Sequence, residues 1–381
     1  MPPTATAACP ACARRRWLLG ELGVALEHQA RDRRRLIDLL SLEDGALIAA
    51  LGGRRRKELS GAIADVRGDR RPRHANAAEI CIHDPCYPSA LRGCVAPCML
   101  SLAGRSELLE ALSGAGVVAI LGSERASHYG VTVARSLGRG LAAAGVCVVS
   151  AAREGIGAAA QEGVLEADGA GVTVCGDGLE VATPRGLAPL RRRIASRGCL
   201  LSELPSDTGG RRWGPIAAQR TIVGLASVAV VVEACDTSAD LFGAHLTRRA
   251  GRVLAAVPGR ITSPLSRGCH ALLSDGACLI GDAGDVLELL PAPNGVSRPR
   301  PTWTPTPRTR LDPSLAGVLE RVAAGRDTPE ELADEVGISE ALSALGELEL
   351  LGLLIRGVGG HYLPRDPPPA AGPDFDRHGS G

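Results

Sequence analysis

VVAILGSERASHYGVTVARSLGRGLAAAGVCVVSAAREGIG, residues 117–157, decides the fold. Val117–Leu121 is an apolar, β-branched run, the pattern of a strand buried on both faces. At Gly122-Ser123 the chain can turn tightly and point backbone N–H groups at a ligand. The spacing then predicts a helix with Val131, Val133, Ala134, Leu137 and Leu141 on one side, stopping at Ala144-Gly145. A second strand, Val146–Ser150, ends at another glycine turn, Arg153-Glu154-Gly155. Strand, helix and strand of this length make a right-handed βαβ unit in a parallel sheet. Ligands of such sheets sit beyond the carboxyl ends of the strands, near helix N-termini that favour anions. The candidate site therefore spans Gly122–Tyr129 and Ser150–Gly157.

Outward from this unit, strands are expected at Val172–Cys175, Cys199–Ser202, Val228–Glu233 and Val253–Val257, with helices at Gly186–Arg197 and Ser238–Ala250. Their alternation predicts an α/β, doubly wound parallel sheet running to residue 290. Its domain begins near residue 80, with 83–104 as an extended lead-in whose turns are set by prolines. Residues 1–13 read as disordered. Residues 14–79 read as a small helical domain, with Trp17, Leu18, Leu22, Leu36, Leu39, Leu40, Leu47, Ile48 and Leu51 as its apolar positions, and an arginine-rich linker or exposed loop over 54–79. Residues 291–310 (PAPNGVSRPRPTWTPTPRTR) form a Pro-rich, extended linker. Residues 311–364 predict a winged helix: a helix-turn-helix over 328–351, then wing strands Leu353–Arg356 and His361–Leu363. Its second helix, SEALSALGELELLG, carries three glutamates and no basic residue, which suits protein contact better than a major groove. The tail, 365–381, reads as disordered.

Composition narrows the function. The 381 residues carry 43 basic and 42 acidic side chains, for a net charge of +1, so nucleic-acid binding needs a local patch. An apolar share of 45% supports a substantial core. Nearly all the basic residues are arginine, Lys57 being the exception. There are 12 cysteines, and Cys9-Pro-Ala-Cys12 has half of a zinc-site spacing. No second CxxC or paired histidine follows in sequence, so spacing predicts no metal site and mostly inert thiols. No apolar leader and no apolar run of bilayer length are present, which predicts a reduced, cytoplasmic chain without a membrane partner. No Walker-type phosphate loop occurs. His128, His245 and His270 stand alone, and Asp177 and Glu180 lack a nucleophile or histidine beside them. Glu233, ending a central strand, suits a structural hydrogen bond to a loop.

Eight stretches, in this order, carry a resemblance: VVAILGSERASHYG (117–130), SAAREGIGAAAQEGVL (150–165), GDGLEVATP (176–184), LLSELPSDT (200–208), QRTIVGLASVAVVVEA (219–234), SADLFGA (238–244), GRVLAAVPG (251–259) and SRGCHALLSDGA (266–277). Together they resemble the DprA (Smf) family of DNA-processing proteins, over nearly the whole chain. CPACARRRWLL (9–19) is similar to the start of actinobacterial-type members. The resemblance implies an extended Rossmann-like sheet, a SAM-like helical domain before it and a winged helix after it. It implies a non-enzymatic, cofactor-free homodimer that binds single-stranded DNA and helps load RecA in transformation and recombination. The DNA- or phosphate-binding set is then Gly122, Ser123, Arg125, Ser127, Arg153, Gly155, Gln219 and Arg220.

This chain departs from the family pattern within that pocket. Glu124 stands where the family has arginine, Glu154 in a basic slot, Gly157 for aspartate and Ala218 for another arginine. Ser238-Ala239 replaces Ser-Gly, and Gly268-Cys269-His270 replaces the family's GCN. Each lost phosphate contact removes about one unit of salt slope. Stacking is also scarce, since aromatics make up 2% of residues, with Tyr129 and Trp213 nearest the site. Ser123 has two readings, a phosphate donor or a helix cap. Arg125 is read as the best surviving phosphate contact, and Arg220 as either a DNA contact or a structural ion pair. The alternatives to DNA binding are a pocket for a nucleotide or other phosphorylated ligand, or a structural dimer that binds nothing.

Overall fold

The β-branched runs do become a sheet. In the computed structural model the described residues are 9–66, 78–92, 97–109, 112, 116–169, 171–182, 185–209, 212–237, 241–291, 312–350, 353–357 and 360–364. Of the disordered readings, residues 1–8 and 365–381 lie outside them, as does nearly all of the Pro-rich linker; the reading of 1–13 as disordered is corrected by a helix that begins at Pro10, and that of 54–79 as a linker by a helix over Arg56–Asp65. The strands are β1 (Ala78–Cys81), β2 (Met99–Gly104), β3 (Val117–Leu121), β4 (Cys147–Ala151), β5 (Val172–Cys175), β6 (Cys199–Ser202), β7 (Val228–Val231), β8 (Val253–Ala256) and β9 (Cys278–Leu279). They form one sheet in the order β1-β2-β6-β5-β4-β3-β7-β8-β9. From β6 to β9 all neighbours run parallel, while β1 and β2 are antiparallel. From β3 the chain winds one way through β4, β5 and β6, then returns to the other side of β3 as β7. That reversal puts the carboxyl ends of β3 and β7 at the topological switch point of the fold.

The lead-in expected over 83–104 is corrected in part. Met99–Gly104 is a strand, and its antiparallel pairing with β1 and β6 closes one edge of the sheet.

The helices are α1 (Pro10–Glu21), α2 (Gly23–Gln29), α3 (Arg33–Leu40), α4 (Asp44–Leu51), α5 (Arg56–Asp65), α6 (Ser89–Arg92), α7 (His128–Ala143), α8 (Ile156–Glu166), α9 (Ala188–Arg197), α10 (Trp213–Leu225), α11 (Phe242–Arg249), α12 (Arg267–Ser274) and α13 (Ala283–Glu288). One face of the sheet buries Val118, Val148 and Val230 against Leu137 and Leu141 of α7 and Val164 of α8. The other buries Val117, Val149 and Val174 against Ala218 and Ile222 of α10. The N-terminal helices form a further layer: Leu18, Leu36, Ile37 and Leu47 share a core with Trp213, Ile216 and Phe242. The segment read as a separate helical domain is thus packed into the unit that carries the sheet, which runs to Thr302.

A second unit, Trp303–Gly381, has its own core. It contains α14 (Pro313–Ala323), α15 (Pro329–Val336), α16 (Ile338–Leu350) and the antiparallel pair β10 (Leu354–Arg356) and β11 (Tyr362–Pro364). Thr328 caps α15 by accepting from the Glu331 N–H. Gly337, at φ +83°, makes the turn into α16, a left-handed conformation that disfavours side chains. Leu315, Val318, Leu332, Leu345, Leu348, Leu354 and Tyr362 fill this core.

Candidate functional site

At the carboxyl ends of β3, β4 and β5 lies a cleft of about 780 Å³. Its wall is built from the loops Gly122–Arg125 and Arg153–Glu154, the start of α10 and two positions of the helical layer, Ala30 and Arg33. The sheet topology alone predicts this place, because every parallel strand ends there.

The loop after β3 is held by backbone and side-chain bonds. The Ser123 N–H donates to the Glu233 carbonyl at 2.8 Å, and its own carbonyl accepts from the Ile156 N–H at 3.1 Å. Its hydroxyl accepts from the Arg125 N–H at 3.1 Å. Ser123 is buried, and its hydroxyl shapes the turn that presents Arg125. Gly155 sits at φ +75°, where a Cβ would lie 2.4 Å from the Ser123 carbonyl oxygen, so only glycine lets the two loops meet.

Ser127 has a different task from the expected one. It caps α7 by accepting from the Gly130 N–H at 3.1 Å. Its N–H and hydroxyl both donate to the Glu233 carboxylate, at 2.8 and 2.6 Å. The buried Glu233 thus occupies the helix N-terminus where a phosphate was expected, and its charge satisfies the helix dipole from within. A Cβ at Gly130 would lie 2.2 Å from this carboxylate. The structural reading of Glu233 matches this geometry, and the phosphate reading of Ser127 does not.

Arg220 takes the second of its two readings, the structural ion pair. Its guanidinium donates to Glu203 from Nε at 3.1 Å and from Nη2 at 2.5 Å, with Thr221 donating to the same carboxylate. The pair is buried, and neither residue lines the cleft. Of the eight expected residues, Gly122, Ser123, Arg125, Arg153 and Gln219 line the cleft, whereas Ser127, Gly155 and Arg220 do not.

Four arginines (Arg33, Arg125, Arg153, Arg212) face three carboxylates (Glu124, Glu154, Asp177) around the wall. Arg153 donates to Glu124 at 2.6 Å, so the glutamate in an arginine slot neutralises a neighbour. The Arg212 N–H donates to Glu27 at 2.7 Å. Arg33 lies over the Phe242 ring, 5.8 Å from its centroid. The exposed Arg125 side chain has no hydrogen bond or ion pair to any described residue. Gln219, also on the wall, has its Oε1 buried without a donor among the described residues. Sequence reasoning missed Arg33, which comes from the helical layer with no local signal. It missed Arg212 as well, whose only signal is a basic residue directly before a helix.

The described lining residues include no histidine. Burial pushes the thiols of Cys147, Cys199 and Cys269 up to about 12 and that of Cys175 to about 11, which leaves them unreactive. One cysteine set behaves differently. Cys9, Cys12, Cys81 and His83 converge on one another away from the cleft, which corrects the expectation that Cys9 and Cys12 lack further ligands. No described helix is long and apolar enough to cross a membrane.

The model of the family described as DNA recombination-mediator protein A matches residues 78–291. Protein Smf of Escherichia coli is 32% identical over 257 residues, covering 64% of this chain and 67% of that protein. A Mycobacterium tuberculosis DNA processing protein DprA is 40% identical over 172 residues; the match spans 45% of this chain and only 44% of that relative. The X-ray structure of DNA processing protein A (DprA) from Streptococcus pneumoniae has the same fold. Its TM-score is 0.58 at 27% identity, covering 71% of this chain and 95% of that one.

Proposed function

Since the chain belongs to the DNA recombination-mediator protein A family, we propose that its cleft binds the backbone of single-stranded DNA. In this reading the protein is a non-catalytic DNA-processing factor of transformation and recombination. It acts as a cytoplasmic homodimer and passes its strand to RecA. The observation that carries the reading is Arg125: an exposed side chain without a partner among the described residues, set on the cleft wall by the Ser123 turn. Arg33 and Arg212 extend the positive edge. Charges of this kind position a phosphate backbone without reading sequence. The names of the matched relatives, DNA processing protein and Smf, agree with it.

The test is fluorescence anisotropy with labelled oligo-dT at low and moderate salt. Arg125→Ala is expected to weaken binding uniformly across sequences and to reduce the salt slope by about one. Wild-type protein that binds no oligonucleotide even at low salt would overturn the proposal. The three carboxylates on the wall favour a second reading, a site for a nucleotide-sized phosphorylated ligand, which fits a cleft of about 780 Å³. Thermal stabilisation by a nucleotide, with no binding to oligo-dT, would select it.

A further inference from the structure

Four soft or borderline ligand atoms meet where α1 approaches the β1 edge of the sheet. Cys9 and Cys12 bracket the first turn of α1, and Cys81 and His83 lie at and just beyond the end of β1. All four ligand atoms lie within 4.8 Å of one another. His83 Nδ1 is 3.3 Å from Cys9 Sγ and 3.5 Å from Cys12 Sγ. A tetrahedral zinc ion with Zn–S of about 2.3 Å and Zn–N of about 2.0 Å sets sulfur–nitrogen edges of about 3.6 Å. The observed separations are close to those edges.

We propose that Cys9, Cys12, Cys81 and His83 form a structural Cys3His zinc site that staples the N-terminal helical layer to the sheet. The surroundings suit thiolates. The Cys12 N–H donates to Cys9 Sγ at 3.5 Å, and the N–H groups of Cys9 and His83 face Cys81 Sγ. Cys12 and Cys81 are buried with Met99, and a further thiol, Cys98, points at the Cys12 carbonyl from 3.9 Å. Three protein thiolates and one imidazole leave no open position, as in closed structural zinc sites. The ligand set is split between residues 9–12 and 81–83, so the metal joins two segments that sequence spacing keeps apart. Arg16, pairing with Glu79 at 2.6 Å, already fastens the same helix to the same strand. The staple adds a covalent-strength tie beside it.

The experiment takes the full chain, purified under reducing conditions, and measures bound metal by mass spectrometry. About one zinc per chain is expected. Replacing zinc by cobalt(II) should give the intense ligand-field bands of tetrahedral thiolate coordination. Cys81→Ser and His83→Ala should each lose the metal, while Cys278→Ser, remote from the site, should keep it. Cys98→Ser, altering only a neighbour of the ligands, should keep stoichiometry with affinity lowered by about tenfold. Wild-type protein that takes up neither zinc nor cobalt overturns the proposal, and this reading does not depend on whether a variant folds. Full zinc in His83→Ala together with loss in Cys98→Ser overturns the assigned ligand set.

Discussion

The Arg220 guanidinium donates to Glu203 from two of its nitrogens, and the two side chains are only 6% and 4% exposed. Its third nitrogen, Nη1, is buried without an acceptor, so part of the desolvation cost of this arginine is not offset. Removing one partner of such a pair strands the other charge in a low-dielectric interior, at about 3–5 kcal/mol. Arg220→Ala should therefore lower the urea midpoint of the sheet-bearing unit sharply. Its affinity for oligo-dT, measured on the folded fraction, should stay close to that of the wild type. An unchanged midpoint with weakened DNA binding would return Arg220 to the phosphate-contact set. Arg125 is the counterpart: four residues beyond the end of β3, its side chain has no partner among the described residues, and its removal should act on binding and spare stability. A motif position cannot distinguish these two arginines. What separates them is Glu203, a carboxylate 17 residues before Arg220 that β6 and α10 bring into contact with it.

In the second unit the hairpin is tied to the loop before α15. The Tyr362 N–H donates to the Asp327 carbonyl at 2.7 Å, and His361 Nδ1 lies 2.7 Å from the Asp327 carboxylate. The carboxylate holds the His361 imidazole above its ordinary value of 6.5. Because the folded value exceeds the unfolded one, the stabilisation is complete below pH 6.5 and is lost as pH rises through the raised value. The melting transition of this unit should accordingly fall between mildly acidic and mildly alkaline buffer, by a small amount since the pair is exposed. Asp327→Asn should abolish that dependence, and a pH profile identical to the wild type would refute the tie. At this scale much was legible from sequence. β3, β5 and β6 lie where their apolar runs place them, and β10 and β11 fall within one residue of expectation. β9, only two residues long, gives no periodic signal, and β2, MLSLAG, was hidden by the prolines and cysteines before it. The cleft was placed by topology from the βαβ unit. The occupied N-terminus of α7 was not, because Glu233 reaches Ser127 across 106 residues.

Family likeness and physical unit do not begin at the same residue. The matched segment starts at residue 78, yet the packing that covers α10 starts at α1. Leu18, Leu36, Ile37, Leu40 and Leu47 are buried against or beside Trp213, Ile216, Ala217 and Phe242. Stripping the helical layer would expose Trp213 and Phe242, now 3% exposed each. Burying one such large side chain contributes about 1.5–3 kcal/mol, so losing several contacts exceeds the margin of an ordinary domain. The layer also carries Arg33 into the cleft and, through Cys9 and Cys12, half of the proposed zinc ligands. A chain limited to residues 78–291 should therefore bind a hydrophobic dye, melt without cooperativity and fail to hold oligo-dT. A chain of residues 9–291 should melt in one transition and bind. Tryptophan fluorescence reports the difference once Trp17→Phe is made in the longer chain, because Trp213 then remains alone at the joint between the layer and the sheet. If the shorter chain melts cooperatively at the temperature of the longer one, the helical layer is an ornament on a self-sufficient sheet. If it does not, the helices, the sheet and the cleft form one folding unit, with the cleft wall completed only when α1 to α5 are in place.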